Sequence, residues 1–440
     1  MAGRRFPGGV HPAYGKDLSD RRAIETMPLP GRLIVHFAQN VGTAPRPVVK
    51  KGDAVKKGQV IAEPQGFISV PLHAPTSGVV QALDVFPHPA GADMQAAVII
   101  PDGADEWAPG LDAERGTEGF DAERIVSIIR DAGLVGMGGA AFPTHVKLSP
   151  PKEMPIDLLI INGAECEPYL TGDHRLMLER PDAILEGASY FARSLGVKRV
   201  IVAIEKNKPD AIETMRIGAL SRGYTVAGLD VVYPQGAERQ LIYALTGRKV
   251  PAGGLPMHVG VLVQNVGTAL AAFEAIRFAR PLVERVVSVT GSGTVAPRNV
   301  LARIGTTFDD LIAFCGGRHP DAGKVVSGGP MMGVAQYSLE APVTKGTTGV
   351  VVLRQREVAQ FVNEVCIRCG RCVRACPMRL NPSVLGIFAE HFRFDDMREH
   401  HVADCIECGC CSYVCPSRRP MVHHFRRAKA EIRTAAAGAI

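Results

Sequence analysis

The sequence contains two arrays of four cysteines with one shared spacing: CIRCGRCVRACP at residues 366–377 and CIECGCCSYVCP at residues 405–416. Both fit CxxCxxCxxxCP, in which three cysteines follow at steps of three and the fourth stands about one helical turn onward, before proline. Proteins use this spacing to hold 4Fe-4S clusters. Because eight thiolates suffice for two cubanes, we predict a two-cluster domain near the end of the chain.

The fourth cysteine of each array predicts how the ligands are shared. The proline after it turns the chain, so that its thiolate faces the neighbouring cluster. The predicted ligands of cluster 1 are Cys366, Cys369, Cys372 and Cys415, and those of cluster 2 are Cys405, Cys408, Cys411 and Cys376. Cys410 stands beside Cys411 and could replace it, although the even spacing favours Cys411.

Structural zinc and disulfide bonds are the alternatives for these cysteines, and both fit less well. Zinc sites usually pair two CxxC motifs across a longer loop and use four ligands in total. Disulfides suit small secreted domains, whereas we expect no signal peptide in this chain of 440 residues. Cys166 and Cys315 lie far from both arrays in the sequence, and we expect ordinary buried or loop thiols there.

Composition argues against other classes of function. A formal net charge of +6 is modest for 440 residues and gives no support to nucleic-acid binding. The longest uncharged runs, at residues 259–273 and 325–339, are about 15 residues long, short of the roughly 20 apolar residues of a membrane span. Eleven cysteines without a secretion signal favour a reducing cytoplasm, where thiolates stay available for iron.

The beginning of the chain predicts an arm and a small β-domain. Residues 1 to about 30 are polar and rich in Pro and Gly, so we expect an arm that packs over other parts of the molecule. Residues 33–85 predict short strands and resemble the barrel-sandwich fold of lipoyl and biotinyl carrier domains. The carrier lysine of such domains would fall near Phe67, but no lysine occurs between Lys57 and Lys147. A docking or scaffolding role is therefore favoured.

A glycine-rich loop follows the acidic linker at residues 107–119. Helical spacing of isoleucines predicts a helix over residues 120–132, and the loop comes directly after it. Such loops are often only turns, but their backbone N–H groups can also approach a phosphate or a flat ring. The candidate residues of this loop are Gly136, Gly138, Gly139 and Phe142. The spacing does not match GxGxxG of the common dinucleotide-binding fold.

Buried strands then alternate with helical patterns, which predicts a parallel sheet. We expect strands at residues 156–161, 199–205 and 229–234, and a further strand that ends near Asn265. Ligands of such sheets bind at the carboxyl ends of the strands. The polar candidates that follow these strands are Asn162, Glu165, Glu167, Glu238, Asn265 and Thr268.

Two segments complete the chain. Residues 286–317, with GGPMMG at 328–333 and the strand that follows, look like a small β-grasp module, whose glycines suit turns. The segment from Ser417 to Ile440 is basic and compatible with a helix. We expect a solvated helical face there, and contact with a membrane surface is the alternative.

Nearly the whole chain resembles the C subunits of Rnf ion-translocating electron-transport complexes. The resemblance rests on GMGGAAFPTHVK, NGAECEP, GAERQL, QNVGT and the paired cysteine arrays. The middle region more distantly resembles the flavin subunit of respiratory complex I, in which the matching segments hold FMN and face NADH. This implies cofactor contacts for the glycine loop, Lys147, the acidic loop and the later segments. The chain departs from the complex I pattern at Met137, Ala164 and Ala237.

The resemblance implies a peripheral subunit that passes electrons between NAD(H), FMN and two 4Fe-4S clusters. Its expected partners are integral and peripheral subunits of the complex, with ferredoxin reached indirectly, on the cytoplasmic side of the inner membrane. The alternatives are a non-catalytic iron–sulfur scaffold and a flavoprotein similar to the cobalamin reductase of microcompartments, in which the barrel stands at the other end.

The sequence thus predicts an α/β multidomain protein with four parts. These are an arm and barrel-sandwich domain at residues 1–110, a Rossmann-like FMN/NADH domain at 118–284, a β-grasp (SLBB-like) module at 285–355, and an α-helical two-cluster ferredoxin-like domain at 356–440.

Overall fold

The computed structural model describes residues 5–358, 360–362 and 364–437. Within these residues the strands form a four-stranded and a three-stranded antiparallel sheet, a four-stranded parallel sheet, and a six-stranded mixed sheet. The cysteine arrays follow in a region of short helices. The α/β multidomain fold class is confirmed.

The strands alternate with helices only in the middle of the chain. In order, they are β1 (Glu25–Thr26), β2 (Leu33–His36), β3 (Arg46–Pro47), β4 (Ala54–Val55), β5 (Val60–Glu63), β6 (Leu72–His73), β7 (Gly78–His88), β8 (Ala92–Pro101), β9 (Leu158–Gly163), β10 (Val200–Glu205), β11 (Thr225–Leu229), β12 (Val261–Asn265), β13 (Glu284–Thr290), β14 (Arg298–Arg303), β15 (Ala322–Ser327), β16 (Val334–Ala335) and β17 (Gly349–Arg354).

The α-helices of the described residues follow the barrel-sandwich domain in the chain. They are α1 (Ala122–Asp131), α2 (Thr144–Lys147), α3 (Gly172–Glu179), α4 (Pro181–Leu195), α5 (Pro209–Leu220), α6 (Glu238–Thr246), α7 (Val266–Phe278), α8 (Phe308–Phe314), α9 (Arg371–Ala375), α10 (Pro382–Glu390), α11 (Phe394–Glu399), α12 (Cys410–Tyr413) and α13 (Met421–Ala437).

The barrel-sandwich domain packs two sheets, β2-β8-β7-β4 and β3-β5-β6, around one apolar core. Phe67 lies in the loop between β5 and β6, where a carrier domain would have its lysine, and is 61% exposed. The carbonyl oxygen of Phe67 accepts a hydrogen bond of 3.0 Å from His145 Nε2 on α2, and the two rings meet edge to face. The tip of the barrel is therefore docked on the helix that follows the glycine loop.

The parallel sheet has the strand order β11-β10-β9-β12. Leu159, Ile161 and Val202 pack with helices on one face, and Leu158, Ile160 and Val263 on the other, so both faces are buried as in other parallel sheets. From β9 the chain builds outward through β10 and β11 and then returns to place β12 on the other side of β9. This reversal of strand order is the position where α/β sheets bind ligands.

One predicted strand of this sheet is wrong. Strand β11 ends at Leu229, where its pairing with Glu205 of β10 also ends, so residues 229–234 do not form a strand. Val232 instead contacts Gly9 of the arm, and Tyr233 exchanges backbone hydrogen bonds with Val10. The apolar alternation there reflects burial beneath the arm. The strand expected at residues 156–161 starts two residues later, at Leu158.

The six-stranded sheet contains the expected β-grasp module, in the order β1-β14-β13-β17-β15-β16. Helix α8 covers one face, and Phe308 and Leu311 are fully buried against Val287, Val300 and Val350. Its edge strand β1 belongs to the arm, whose Glu25 and Thr26 pair with Val300 and Leu301. The arm therefore becomes part of a domain from which it is distant in sequence.

The basic tail forms helix α13, but a solvated face describes only part of it. Arg419 is 1% exposed and pairs with Glu390. Arg426 and Lys429 both bind the carboxylate of Glu407, at 2.9 Å each. Much of the positive charge of this tail is therefore in ion pairs within the domain, with Glu390 and Glu407.

The arm contacts three other parts of the chain through backbone hydrogen bonds. They are the region of the parallel sheet that resembles a flavin subunit, called the flavin-like domain (residues 118–284), the β-grasp module and the cysteine arrays. Gly9 N donates to the carbonyl of Ala375, next to Cys376, and Tyr169 N donates to Tyr14 O. Between them, the ammonium group of the buried Lys16 donates to the carbonyl oxygens of Glu165, Glu167 and Leu170, at 2.8, 2.9 and 2.5 Å. The arm thus fixes the acidic loop from outside the sheet, as the expected packing role requires.

We predict that Lys16→Met loosens the acidic loop. Because three buried carbonyl groups lose a charged donor, the free energy of local opening should fall by about 3 kcal/mol. Hydrogen exchange measured by mass spectrometry over residues 163–172 tests this. Lys51→Met, on an exposed turn of the barrel, is the matched control. Unchanged exchange in the Lys16 variant would show that the arm does not hold the loop.

Candidate flavin and iron–sulfur sites

The glycine loop meets the carboxyl end of β12. Met137 N donates to Thr268 Oγ1 at 2.9 Å, and a side chain at Gly138 would lie 3.6 Å from Asn265 Cβ. Within the loop, Gly136 N donates to Phe142 O at 2.8 Å. The structure therefore brings together the predicted residues Gly136, Gly138, Phe142, Asn265 and Thr268, where the strand order of the sheet reverses.

Gly139 gives the loop its open backbone. Its φ is +106°, which side chains rarely adopt, and no heavy atom lies within 4 Å of the position that a Cβ would occupy. Gly138, Gly139 and Ala140 are all exposed. The absence of side chains leaves backbone N–H groups accessible, which suits a phosphate or a flat ring.

The acidic loop lies between two buried lysines. Lys16 binds three of its carbonyl groups, and Lys208 Nζ donates to Ala164 O at 2.7 Å and to Glu205 Oε2 at 3.3 Å. Burial lowers the pKa of Lys16. The backbone carbonyls of the loop thus point at cations behind it, and the loop needs the arm in order to keep its shape.

Glu165 and Asp173 form a half-buried acidic pair beside Asn265. Glu165 accepts hydrogen bonds from Asp173 N at 2.7 Å and His174 N at 3.3 Å, so its carboxylate stabilises the first turn of α3. Asn265 Nδ2 donates to Asp173 Oδ2 at 2.7 Å. Burial and the nearby Glu165 raise the pKa of Asp173 to about 7. This pair concentrates negative charge next to the glycine loop.

Asn265 also begins helix α7. Its Oδ1 accepts from Gly267 N at 2.7 Å and Thr268 N at 3.4 Å, which is the usual role of asparagine at a helix start. One side chain thus connects the helix, the acidic pair and the glycine loop.

Glu167 makes its contacts on another side of the acidic loop. Its carboxylate accepts hydrogen bonds from Met331 N at 3.1 Å and Met332 N at 2.9 Å in the GGPMMG loop, and from the hydroxyl group of Tyr233 at 3.4 Å. Burial raises the pKa of Glu167 to about 7. Because a side chain at Gly329 would lie 2.2 Å from Glu167 Oε2, this glycine permits the contact and is more than a turn residue.

Lys147, Glu238 and Asn162 have structural partners around the same edge of the sheet. Lys147 Nζ lies 2.8 Å from Glu238 Oε1 and donates to Val263 O at 2.7 Å. Asn162 Nδ2 donates to Gly236 O at 2.9 Å. The predicted polar residues therefore shape the site through contacts with one another, and the exposed glycine loop offers the accessible donors.

Sequence analysis missed two buried cations near the glycine loop. Arg285 donates to the carbonyl oxygens of Met137, at 3.0 Å, and of Lys345. Lys345 Nζ in turn donates to Gly133 O at 2.7 Å and Pro71 O at 3.0 Å, and burial lowers its pKa to about 7. Both residues belong to the β-grasp region in sequence, so no local pattern connected them with the loop.

The first cysteine triplet meets the last cysteine of the second array. One cavity is lined by Cys366, Cys369, Cys372 and Cys415, together with Ile367, Gly370, Ser383, Pro416, Ser417 and Met421. In the second group, burial and the neighbouring cysteine thiols, Cys376 among them, raise the pKa values of Cys405 and Cys411. Two cubanes whose fourth ligands cross between the arrays stay a prediction from the spacing of the cysteines.

Cys410 is fully buried, and its Sγ lies 3.9 Å from the carbonyl oxygen of Tyr233. Its thiol is therefore directed at the flavin-like domain, while Cys411 packs in the core of the helical region. Cys315 is buried in the β-grasp core, and Cys166 lies next to Gly236. Neither belongs to an array.

Four family models match successive parts of the chain. Their descriptions are RnfC barrel sandwich hybrid domain for residues 4–104, Nuo51 FMN-binding domain for 129–274, SLBB domain for 286–335 and 4Fe-4S dicluster domain for 359–416. Over 98% of its length the chain is 47% identical to the C subunit of the proton-translocating ferredoxin:NAD(+) oxidoreductase complex of Clostridium ljungdahlii, of which it covers 95%. The chain belongs to the RnfC family.

A second RnfC relative shows similar agreement. The C subunit of the Na(+)-translocating ferredoxin:NAD(+) oxidoreductase complex of Acetobacterium woodii is 42% identical, with 97% of each chain covered. Among solved structures, an NAD+-reducing [NiFe]-hydrogenase in its H2-reduced state matches with a TM-score of 0.50 and 19% identity. The match covers 71% of this chain and 63% of the hydrogenase chain, and it shows similarity of fold alone.

In the part of the chain that the structure describes, no helix is both long enough and apolar enough to cross a bilayer.

We predict that Cys376→Ser perturbs the cluster of the second triplet and that Cys415→Ser perturbs the cluster of the first. Electron paramagnetic resonance of the reduced variants, with iron counted per protein, distinguishes the two signals. Single substitutions in each triplet, Cys369→Ser and Cys405→Ser, assign the signals first. If Cys376→Ser removed the same signal as Cys369→Ser, each array would hold its own cluster.

Proposed function

We propose that this protein is the NAD(H)-reactive subunit of an Rnf complex and transfers electrons between NAD(H), FMN and two 4Fe-4S clusters. The observation that carries the proposal is the open glycine loop at the switch point of a parallel sheet, in one chain with two cysteine arrays, of which the first triplet and Cys415 line one cavity. The family and its FMN-binding and dicluster models support the same cofactors.

FMN, when bound, converts the two-electron hydride chemistry of NADH into the one-electron steps of iron–sulfur clusters. The residues present fit this cofactor. The exposed backbone at Gly138 and Gly139 would approach it, Asn265 and Thr268 would hold the loop against β12, and Lys147 and Glu238 would fix the adjacent helices. The barrel tip is docked on α2 beside the loop.

The acidic pair favours NAD over NADP. Carboxylates near a nucleotide site accept hydrogen bonds from ribose hydroxyls and repel a 2′-phosphate. Glu165 and Asp173 place such charge beside Asn265 and the glycine loop. Glu167 instead holds the acidic loop against the GGPMMG loop and Tyr233, next to the second cysteine array. We assign these roles residue by residue as part of the proposal.

As a subunit of a membrane complex, the protein would be peripheral and would face the cytoplasm, where NAD(H) and ferredoxin are found. Integral and peripheral subunits of the complex are its proposed partners, and ferredoxin would be reached through them. A non-catalytic scaffold would use the same cysteine arrays but would need no open glycine loop. The barrel at the beginning of the chain also differs from the domain order of the cobalamin reductases.

Anaerobic addition of NADH to the purified, flavin-loaded protein should bleach its flavin absorbance, and NADPH should do so much more slowly. In Glu167→Gln, flavin content should stay stoichiometric, while reduction by NADH slows about tenfold. The reason is that the acidic loop loses a charged hydrogen-bond acceptor that contributes about 1.5 kcal/mol to holding it in place. Glu213→Gln, on the exposed face of α5, is the control.

A protein that binds no flavin, or whose flavin NADH does not bleach, would be the non-catalytic scaffold. Equal loss of flavin and of reduction rate in Glu167→Gln would contradict the separation of roles between Glu167 and the glycine loop.

Gly139→Val should lose most of its flavin, because a side chain would strain the backbone at φ +106° and occupy the open face of the loop. Flavin released by acid treatment and counted per protein measures this. Gly223→Val is a matched control: it also has positive φ, at +69°, and open space, but lies in a turn between α5 and β11. Stoichiometric flavin in the Gly139 variant would exclude backbone approach at this position.

A further inference from the structure

The two cysteine arrays have different surroundings. In the second array, Cys408 and Cys410 are buried with Tyr233, Val10 and Met331. A side chain at Gly409 would lie 2.6 Å from the carbonyl oxygen of Met331, so the array is in close contact with the GGPMMG loop that binds Glu167. This array is therefore covered by the flavin-like and β-grasp domains.

The first array is open to solvent. Cys369 is exposed, and Ile367, which lines the same cavity, is 67% exposed. Val365, one residue before the array, is 87% exposed, and Val373 is exposed between two ligands. Large apolar side chains at this degree of exposure, clustered around a cofactor cavity, are typical of a surface that another protein covers.

The open face is rich in arginine, with the exposed Glu364 directly before Val365. Between Val365 and Leu380 the chain has four arginines and neither Asp nor Glu, and Arg418 follows Cys415 closely. The exposed members of this set are Arg368, Arg371, Arg374, Arg379 and Arg418. None of them is in an ion pair with a carboxylate of residues 5–358, 360–362 or 364–437, in contrast to Arg419, just before helix α13, and to Arg426 and Lys429 within it.

We infer that this face is the docking surface for an acidic electron-transfer domain, which exchanges electrons with cluster 1 one at a time. The inference rests on the proposed function. It sets the order of the centres as flavin, cluster 2, cluster 1 and partner. The contacts with the flavin-like domain lie around Cys408, Cys410 and Pro377, beside the predicted ligands of cluster 2, whereas Cys369 of the cluster 1 cavity is exposed. When an electron leaves cluster 1, that cluster is oxidised and the partner's centre is reduced, and the reverse transfer balances in the same way.

Charge and shape together favour a protein over a lipid surface. An apolar centre with a charged rim is the usual anatomy of a protein interface, and complementary charge speeds encounter and sets orientation. A membrane would bring no redox centre to the thiolates. Docking here would also bury Ile367 and Val365, which the chain itself leaves uncovered.

The test uses the full-length protein loaded with flavin and clusters, and an acidic two-cluster bacterial ferredoxin as a stand-in for the acidic electron-transfer domain of a partner subunit. Biolayer interferometry should show binding that weakens steadily as NaCl is raised from low to physiological concentration. In Arg371→Glu/Arg374→Glu, the affinity should fall by about tenfold or more. Arg418→Glu, outside both triplets, should weaken binding in the same direction and guards against loss of iron in the double variant.

Lys198→Glu/Arg199→Glu changes the net charge equally, at two exposed residues directly before β10. This control pair should leave the affinity unchanged. Iron content and bleaching of the flavin by NADH are measured in every variant. If bleaching is lost in all of them, including the unsubstituted protein, the proposed function fails rather than the docking surface. Equal weakening by the control pair would reduce the effect to net charge and overturn the inference.

Vesicles of phosphatidylserine and phosphatidylcholine provide the remaining comparison. If the protein binds these vesicles at all, we expect Arg371→Glu/Arg374→Glu to leave that binding unchanged. If the vesicles bind through these arginines and ferredoxin does not, the surface is a lipid-binding one and the inference is wrong.

Discussion

The ammonium group of Lys16 is the contact on which the arrangement of domains depends. It ties three carbonyl groups of the acidic loop to an arm that continues to both cysteine arrays in one direction and to the six-stranded sheet in the other. Burying an unpaired ammonium group is very costly, so the loop must present these carbonyl groups for the arm to pack at all. The loop, the arm and the adjoining domains therefore assume their positions together.

Much of the fold could be read from local patterns. The spacing of the cysteines anticipates the cavity that Cys415 shares with the first triplet, although the cluster ligands themselves stay a prediction. Alternating strands and helices anticipate the parallel sheet. The strand expected at residues 229–234 failed because its apolar residues are buried by Val10 and Gly9, more than 200 residues away in sequence. Local periodicity reports that a segment is buried, but it does not identify the partner.

Sequence analysis named several residues that the structure brings close together, but it did not predict their hydrogen-bond partners. Asn265, Thr268 and the glycine loop do meet, because parallel strand ends and the loop share one edge. The acidic residues proved to be committed to internal partners, and Lys345 and Arg285 enter the site from another domain. Sequence supplies the chemical types that a nucleotide site needs, whereas the choice between ligand and structural contact is made by side chains from distant segments.

The barrel tip has a further consequence for how electrons can travel. In lipoyl domains, the hairpin tip carries its group on a flexible lysine arm between active sites. Here the corresponding tip has Phe67, whose carbonyl is fixed to His145 beside the glycine loop. A module suited to shuttling is thereby docked on α2, so its tip is fixed to the fold beside the glycine loop and does not serve as a moving carrier.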